Sequence, residues 1–229
     1  MPNEIVPYLD MCQREGVSLQ RGMNFELRNN HSVILMSVRP NAPYADRFED
    51  DGTTLIYEGH DVPRSQQNAN PKSIDQPEYT PNGSLTQNGL FKRAAQLFKS
   101  GAREPERVRV YEKIKQGIWS YNGIFHLVDA WQTLSEKRQV FKFKLIAVEG
   151  EEDFSIPVPL QSKLRRIIPT VVKLEVWKRD GGKCTMCSSD KDLHFDHIIP
   201  WSKGGSSSTP ENIQLLCGKH NLQKHDRIE

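Results

Sequence analysis

The last 46 residues concentrate the side chains that bind metal ions, because three of the four cysteines and four of the seven histidines lie there. Cys184 and Cys187 are separated by two residues, as are Cys217 and His220, and 29 residues separate the two pairs. Two such pairs supply the four sulfur and nitrogen ligands that a tetrahedral structural zinc prefers. The spacing therefore predicts a Zn2+ site. Cys12 stands apart, and we expect it to be a small buried or half-buried apolar side chain.

Metal ligation is favoured over disulfides because the chain begins MPNEIVPYLD, without the basic and apolar segments of a secretory signal. The apolar runs, such as residues 33–36 and 145–148, are far shorter than the roughly 20 residues that span a bilayer. We therefore expect a soluble protein of the cytoplasm with no membrane association.

A second group of polar residues surrounds the second pair. It consists of Asp196-His197-Ile-Ile-Pro, a Gly/Ser loop, Pro210-Glu-Asn212 and Asn221. With RDGG before the first cysteine, EN-x-x-LLC and a terminal K-x-D-R, these segments resemble the HNH nuclease family, the ββα-metal finger, over residues 172–227. His220 stands where a fourth cysteine is usual, and Asn221 where a final histidine is common.

The resemblance implies a catalytic centre beside the zinc. Asp196 and Asn221 would hold one divalent cation, and oxygen ligands suit Mg2+ or Mn2+. His197 would be the general base that takes a proton from the attacking water. Asn212 would orient that imidazole through its side chain or its backbone carbonyl.

The resemblance also implies that Lys224 and Arg227 face the phosphodiester backbone as positioning charges. Two histidines leave alternatives open. His194 shares a strand face with Asp196 and is either a packing residue or a ligand. His225, four residues past Asn221 on a helix, is an alternative metal ligand.

Composition limits the class of protein. The 229 residues are 36% hydrophobic, 26% charged and 8% aromatic, which excludes collagen, coiled coil and wholesale disorder. The net charge is +2, but residues 161–229 carry +4 and residues 1–160 carry −2. A basic C-terminal third suits a polyanion, and equally suits a solvated surface without a partner.

Hydrophobic periodicity predicts the elements that position these residues. The first twenty residues indicate a short helix that stops near Gly16. We expect an α+β fold with a curved mixed sheet or barrel, a linker and a metal finger, divided as 1–155, 156–170 and 171–229. The predicted strands lie within 25–38, 53–57, 107–111, 123–131 and 140–148, the other helices within 86–100 and 171–177, and a long polar loop at 61–84.

Short segments of the N-terminal part form a second pattern. They are Tyr44-Ala-Asp46, LIYEGHD at 55–61, VRVY at 108–111, WSYNGIFHLVDAW at 119–131 and FKFKL at 141–145. Over residues 18–148 they resemble the SRA domain, a PUA-like module that binds modified cytosine by flipping it from the duplex. The departures from the family's YDG-[IL]-Y segment are Asn122 and Phe125.

The SRA resemblance implies a pocket for the flipped base. Tyr44 and Tyr57 would supply its aromatic faces, and Asp46 would accept from the exocyclic amine of cytosine. Asp50 and Asp51 compete for the role of the carboxylate, while Tyr57 could be a core residue of its strand and Asp46 a turn former. The polar loop at 61–84 is either disordered or enters a DNA groove.

Together the two resemblances imply a bacterial modification-dependent restriction endonuclease. Its partner would be double-stranded DNA that contains 5-methyl- or 5-hydroxymethylcytosine. Because one HNH site cuts one strand, a double-strand break implies a homodimer or two binding events. Two alternatives stay open: an HNH endonuclease whose N-terminal domain reads unmodified or structured DNA, and a zinc-stabilised DNA-binding protein without cleavage.

Overall fold

The computed structural model describes residues 2–27, 31–49, 52–65, 69–148, 167–224 and 227. It confirms the expected α+β class. The elements, in chain order, are β1 (Glu4–Pro7), α1 (Tyr8–Glu15), β2 (Met23–Asn24), β3 (Ser32–Met36), β4 (Arg47–Glu49), β5 (Thr54–Glu58), α2 (Gln87–Lys99), β6 (Glu106–Lys115), β7 (Ile118–Ser135), β8 (Arg138–Ala147), α3 (Thr170–Arg179), β9 (Leu193–His197), β10 (Ile213–Cys217) and α4 (Gly218–Lys224).

The strands form one connected sheet in the order β10-β9-β1-β7-β6-β3-β2, and β8 joins β7 to β5 and β4. The pair β3–β6 is parallel, whereas all the other pairs are antiparallel. β7 is 18 residues long and pairs with β1, β6 and β8, with register shifts that mark bulges in both of its longer ladders. Such bulges bend a strand, so β7 can turn the sheet into the expected curved, mixed form.

The main core lies between the curved sheet and α2. Phe91, Ala94 and Ala95 of α2, spaced at three and four residues, pack on Phe125 and Phe143 of the sheet. The helix begins at the predicted place, where the Thr86 hydroxyl accepts a hydrogen bond from the Gly89 backbone N–H. The predicted helix at 86–100 and the strands that flank it are therefore confirmed.

The N-terminal segment differs from its prediction. A helix begins only at Tyr8 and ends at Glu15, as the expected stop near Gly16 requires, but residues Glu4–Pro7 form β1. Ile5 and Val6 are adjacent apolar residues that both become buried between β7 and β9. Neighbouring strands on both sides outweigh the weak helical periodicity of so short a segment.

The polar loop at 61–84 is irregular as predicted, apart from a 3-10 turn at Pro71–Ser73. Its described part is anchored to the sheet, because Arg138 donates to Asp61 at 2.5 Å and Gln76 is almost fully buried against Gly59 and Phe141. Residues 66–68 lie outside the described residues.

Residues 156–166 of the predicted linker also lie outside the described residues, so the domain bounds stay a prediction. The neighbouring Ile167 and Ile168 are buried, the first in the core under α2 and the second in the core around α3. No helix in the described ranges is long and apolar enough to cross a membrane.

Candidate functional sites

The four residues predicted to bind zinc converge. The ligand atoms of Cys184, Cys187, Cys217 and His220 all lie within 4.8 Å of one another. The sulfurs of Cys187 and Cys217 are 3.9 Å apart, and Nδ1 of His220 lies 3.4 Å from the Cys184 sulfur and 3.3 Å from the Cys217 sulfur. A tetrahedral zinc with Zn–S bonds of about 2.3 Å places its sulfurs about 3.8 Å apart. The donor set and its spacing therefore fit Zn2+.

The two cysteines of the first pair differ, because the pKa of the Cys187 thiol is raised whereas that of Cys184 is lowered. Burial raises the pKa of the Cys184 thiol, but hydrogen bonds from the Cys217 backbone and the His220 ring outweigh it and bring that pKa to about 6. A thiolate is the form that ligates metal.

His197 is the last residue of β9 and is paired with Ile213 of β10. Its Nε2 lies 2.8 Å from the hydroxyl of Ser207, which is buried in the loop between the two strands. That hydrogen bond holds the imidazole in one orientation. Sequence reasoning did not single out Ser207, because it is one of three consecutive serines with no spacing that distinguishes it.

Asn212 forms a network of hydrogen bonds with the loop between β9 and β10. Its side-chain oxygen accepts from the Ile199 backbone N–H at 2.8 Å, and its amide nitrogen donates to the carbonyls of Ile199 and Ser206 at 3.1 and 2.9 Å. Its backbone carbonyl accepts from the N–H of residue 198. The Asn212 side chain thus clamps the loop that carries Ser207, and the expected orientation of His197 by Asn212 stays a prediction.

The clamp requires close approach of two backbone segments. A Cβ on Gly205 would lie 1.7 Å from the Ile199 carbonyl oxygen and 2.8 Å from the Asn212 amide nitrogen. Glycine at 205 therefore allows the loop to fold against itself.

Lys224 is not on an exposed face, where a contact to DNA phosphate was expected. Its side chain is 1% exposed, and its ammonium donates to the carbonyl oxygen of His197 at 2.6 Å and lies 2.9 Å from Oδ2 of Asp196. The α4 helix packs on β9, so the side chain points into that interface and cannot reach solvent. The expected backbone role of Lys224 is therefore wrong, whereas Arg227, which is exposed, stays a prediction in that role.

The Asp196 carboxylate retains capacity for a cation. Its Oδ2 is buried and accepts no well-aligned hydrogen bond from the described residues, although it forms an ion pair with Lys224 by distance. Asn221 precedes Lys224 by three residues on α4 and so lies on the same helix face. A carboxylate oxygen of this kind suits a hard divalent cation, so Asp196 fits the implied metal, and Asn221 stays a prediction as its second ligand.

Of the two histidines whose role the sequence leaves open, only His194 lies in the part of the chain that the structure describes. His194 is 5% exposed, and its Nε2 lies 3.3 Å from Oδ1 of Asp192. This arrangement is that of a packed histidine with its own carboxylate partner. His225 lies outside the described residues.

The three predicted pocket residues line one cavity of about 820 Å3 in the N-terminal part. Tyr44 and Asp46 follow the turn after β3, and Tyr57 lies in β5. Asp50 and Asp51, the competing carboxylates, lie outside the described residues. Tyr44, Asp46 and Tyr57 thus line a common cavity, and their role in binding a flipped base stays a prediction.

Asp46 is held by backbone amides at the wall of this cavity. Its Oδ1 accepts from the Glu58 N–H at 3.0 Å and its Oδ2 from the Ser37 N–H at 3.1 Å. Burial raises the pKa of Asp46 to about 7 even though both amides oppose the shift. The carboxyl therefore changes its charge near neutral pH, a property typical of functional carboxyls.

The two tyrosines are not equivalent. Tyr57 is 2% exposed and belongs to the main core. Its hydroxyl oxygen lies close to Gly22, where an added Cβ would come within 2.6 Å of it. Tyr44 is half-buried, and the Lys72 ammonium lies 3.9 Å from the centre of its ring. A cation from the polar loop thus covers one face of Tyr44, a residue that also lines the cavity.

Two family models match the chain. One, described as SAD/SRA domain, matches residues 11–151, which is more than half of the chain. The chain belongs to the SAD/SRA domain family. The other, described as HNH endonuclease, matches residues 184–227. Both resemblances are confirmed, and an SRA domain is joined to an HNH endonuclease domain in one chain. No curated protein matches the sequence.

Several solved structures are similar. The SRA domain of SUVH5 in complex with hemimethylated CG DNA is 24% identical, covers 61% of this chain and 79% of its own, and superposes with a TM-score of 0.39. The type IV phosphorothioation-dependent restriction endonuclease ScoMcrA is 17% identical, with 99% of this chain and 57% of that chain covered and a TM-score of 0.45. KRYPTONITE, in complex with mCHH DNA, a histone H3 peptide and SAH, is 15% identical, with coverages of 69% and 34% and a TM-score of 0.42.

The SRA cavity also contains residues that the sequence did not reveal. Basic side chains line it at Arg21, Arg39 and Lys113, and two further aromatic residues, Tyr8 and Trp119, line it as well. These five residues come from five separate places along the chain, and only Arg39, beside a proline turn, and Trp119, at the start of an SRA segment, carry a sequence signal. The SRA cavity is thus both aromatic and basic.

Proposed function

We propose that this protein is a modification-dependent DNA endonuclease. Its SRA domain would take a flipped 5-methyl- or 5-hydroxymethylcytosine, and its HNH domain would hydrolyse a phosphodiester bond. The observation that supports this proposal most directly is the convergence of Tyr44, Asp46 and Tyr57 on one cavity. A flipped base needs an aromatic surface and a buried polar group that reads its pairing edge, and the cavity offers both.

Asp46 is the group that selects cytosine in this proposal. Either carboxyl oxygen can accept from the N4 amine of cytosine, whereas thymine presents a carbonyl oxygen there and would be repelled. In its neutral form, which the raised pKa makes available near pH 7, the carboxyl can also donate to N3. The ring of Tyr44, which lines the cavity, would then stack on the base.

The basic residues of the cavity wall serve the DNA backbone. Arg21, Arg39 and Lys113 lie beside the aromatic residues in the same cavity. Contacts of cationic side chains to phosphates contribute affinity and position the duplex without reading its sequence. These three residues, together with the exposed Arg227, replace Lys224 in that role.

His197 acts as the general base in the HNH domain. Its imidazole is oriented by the Ser207 hydroxyl and is close in sequence to the Asp196 carboxylate. Asp196 and Asn221 would hold Mg2+ or Mn2+, which when bound stabilises the charge that develops on the phosphate and on the leaving oxygen. The zinc cluster would fold the domain and take no part in the chemistry.

One HNH site cuts one strand. A double-strand break therefore needs a homodimer or two binding events on opposite strands. The cellular setting that fits such an enzyme is the bacterial cytoplasm.

A binding experiment tests whether the SRA domain recognises modified cytosine. His197→Ala protein is titrated onto duplexes that carry one C, 5-methylcytosine or 5-hydroxymethylcytosine, with 2-aminopurine as the neighbouring base to report unstacking. We expect tighter binding and a fluorescence increase on the modified duplexes only, and Asp46→Asn should lose both. Equal binding to all three duplexes would contradict recognition of modified cytosine by the SRA domain.

A cleavage experiment tests the nuclease. Wild-type protein with Mg2+ or Mn2+ should cut modified DNA, while His197→Ala should bind it and leave it intact. If both proteins leave every DNA intact in every cation, the chain is a DNA-binding protein and the hydrolase proposal fails.

A further inference from the structure

A buried ion pair connects the HNH side of the molecule to the SRA sheet. Lys173 of α3 donates to Oε2 of Glu112, on β6, at 2.8 Å. Both side chains are completely buried. The Lys173 ammonium also donates to the side-chain oxygen of Asn122, on β7, at 2.6 Å. A helix of one domain is therefore fixed to two strands of the other.

Two more side chains complete this polar cluster. Thr170 at the start of α3 donates to Oε1 of Glu112, and the Asn122 amide donates to Oε2 of Glu112 at 3.0 Å. Asn122 stands where the SRA pattern has an aspartate, and here an aspartate would place a second carboxylate against Glu112. The Asn122 side chain, by contrast, donates to Glu112 and accepts from Lys173 of α3, which explains the departure from the YDG pattern.

The apolar core of the HNH side is shared in the same way. Ile5 of β1 and Ile114 of β6 belong to one buried cluster with Val172 and Val176 of α3 and Phe195 of β9. β1 lies between β7 and β9, so the backbone ladder also runs from one domain into the other. Three kinds of contact thus fasten the domains together.

A buried ion pair contributes little net stability, because desolvation of both charges offsets their attraction. Its effect is on geometry, since any arrangement that separates Lys173 from Glu112 leaves an unpaired buried charge. We propose that the SRA and HNH domains form one rigid body, with Lys173 as a positioning residue, so that cleavage falls at a fixed offset from the modified cytosine. This inference rests on the function proposed above.

The sheet register gives the scale of that offset. Trp119 of the cavity wall is paired with Val6 of β1, and Glu4 of β1 is paired with His194 of β9. With about 4.8 Å between strands and about 3.3 Å per residue, the backbones of Trp119 and His197 lie roughly 20 Å apart. A pair of domains joined only by a flexible tether would instead cut over a range of distances that grows with tether length.

The test maps cut positions at nucleotide resolution on DNA with one modified cytosine. Six Gly/Ser residues are inserted between positions 158 and 159. We expect the insertion to leave the cut position and the width of its distribution unchanged, because non-covalent contacts set the spacing. A cut position that moves or broadens with the insertion would overturn the rigid body.

Substitutions within the cluster give the complementary result. Lys173→Met combined with Glu112→Leu removes both charges together and avoids an unpaired one, and we expect a cut distribution at least twice as broad as that of the wild type. Lys178→Met, on the exposed face of the same helix, is the matched control and should leave the distribution as it is. A sharp, unmoved cut by the folded double variant would remove Lys173 from the positioning role.

A DNA-free measurement separates this inference from the proposed function. Small-angle scattering of the wild type and of the insertion variant should give superimposable curves if the domains are one body, even if neither protein cuts DNA. A larger radius of gyration for the insertion variant would contradict the inference, whereas indifference of the wild type to cytosine modification would contradict only the proposed function.

Discussion

The ammonium of Lys224 lies 2.9 Å from Oδ2 of Asp196 and 2.6 Å from the carbonyl oxygen of His197. Lys224 therefore places a positive charge at the carboxylate of Asp196, the residue that we propose as a metal ligand. A residue first assigned to the DNA surface instead supports the two residues at the end of β9.

Lys224→Met should destabilise the protein, because it leaves the Asp196 carboxylate without its cation. Removal of one partner of such a pair costs about 3 kcal/mol. In the presence of a chelator, we expect the variant to melt at a lower temperature than the wild type. Added Mn2+ should raise the melting temperature more in the variant than in the wild type, since ligand binding to the folded state adds stability. Differential scanning fluorimetry measures both effects.

Lys219→Met is the matched control, because it removes a lysine from the exposed face of the same helix. It should leave the melting temperature and its response to Mn2+ unchanged. Equal Mn2+ shifts in Lys224→Met and wild type would argue against a metal at Asp196.

Ser207→Ala should slow catalysis without weakening DNA binding, because it removes the hydroxyl that orients His197. Loss of one hydrogen bond of about 1.4 kcal/mol corresponds to about tenfold in kcat. Steady-state cleavage should show the lower kcat with an unchanged KM. The exposed Ser208→Ala is the control, and a Ser207→Ala enzyme with wild-type kcat would remove Ser207 from the site.

Cys184→Ala should lose zinc and unfold residues 172–227 rather than merely slow turnover. The shared core extends this prediction, because loss of that fold exposes Ile5 and Ile114 of the SRA sheet. We expect one transition at lower temperature, with zinc content below one ion per chain by atomic absorption. Cys12→Ala, outside the cluster, should keep the melting temperature and the zinc content of the wild type. A native melting curve for zinc-free Cys184→Ala would contradict the structural role of the zinc.

Binding of modified DNA should weaken as pH rises through about 7. Burial holds the pKa of Asp46 near 7, above the value of about 3.9 in an unfolded chain. The contribution of Asp46 to stability is therefore largest in acid and is lost above pH 7. If the neutral carboxyl donates to N3 of the base, affinity should fall about tenfold between pH 6 and pH 8.

Fluorescence anisotropy at constant ionic strength checks this pH dependence. In Asp46→Asn the amide NH2 would face the backbone N–H of Glu58 or of Ser37, so affinity should drop at both pH values and the slope should disappear. Affinity of the wild type that does not change from pH 6 to pH 8 would show that the charged form binds equally well.

Local patterns predicted much of this protein. The zinc ligands were predicted because their identity and their two-residue spacing suffice to place them around an ion. The order of segments along the SRA pattern led to Tyr44, Asp46 and Tyr57, which line one cavity, and their role toward a base stays a prediction. The helix at 86–100 followed from strong periodicity and a threonine cap.

The rest depended on contacts between distant segments. The local pattern predicts a helix where β1 forms, because the strand partners of β1 lie more than 100 residues away. The burial of Lys224 depends on how α4 packs on β9, and lysines are rarely buried. The link between Lys173 and Glu112 joins residues 61 positions apart, and neither residue carries a motif that announces the other.

The most direct test of modification-dependent cleavage is digestion of otherwise identical DNAs that carry C, 5-methylcytosine, 5-hydroxymethylcytosine or glucosylated 5-hydroxymethylcytosine, in Mg2+ and in Mn2+. We expect cleavage of the 5-methyl or 5-hydroxymethyl substrate in at least one cation, with unmodified DNA left intact. Equal digestion of modified and unmodified DNA would contradict it.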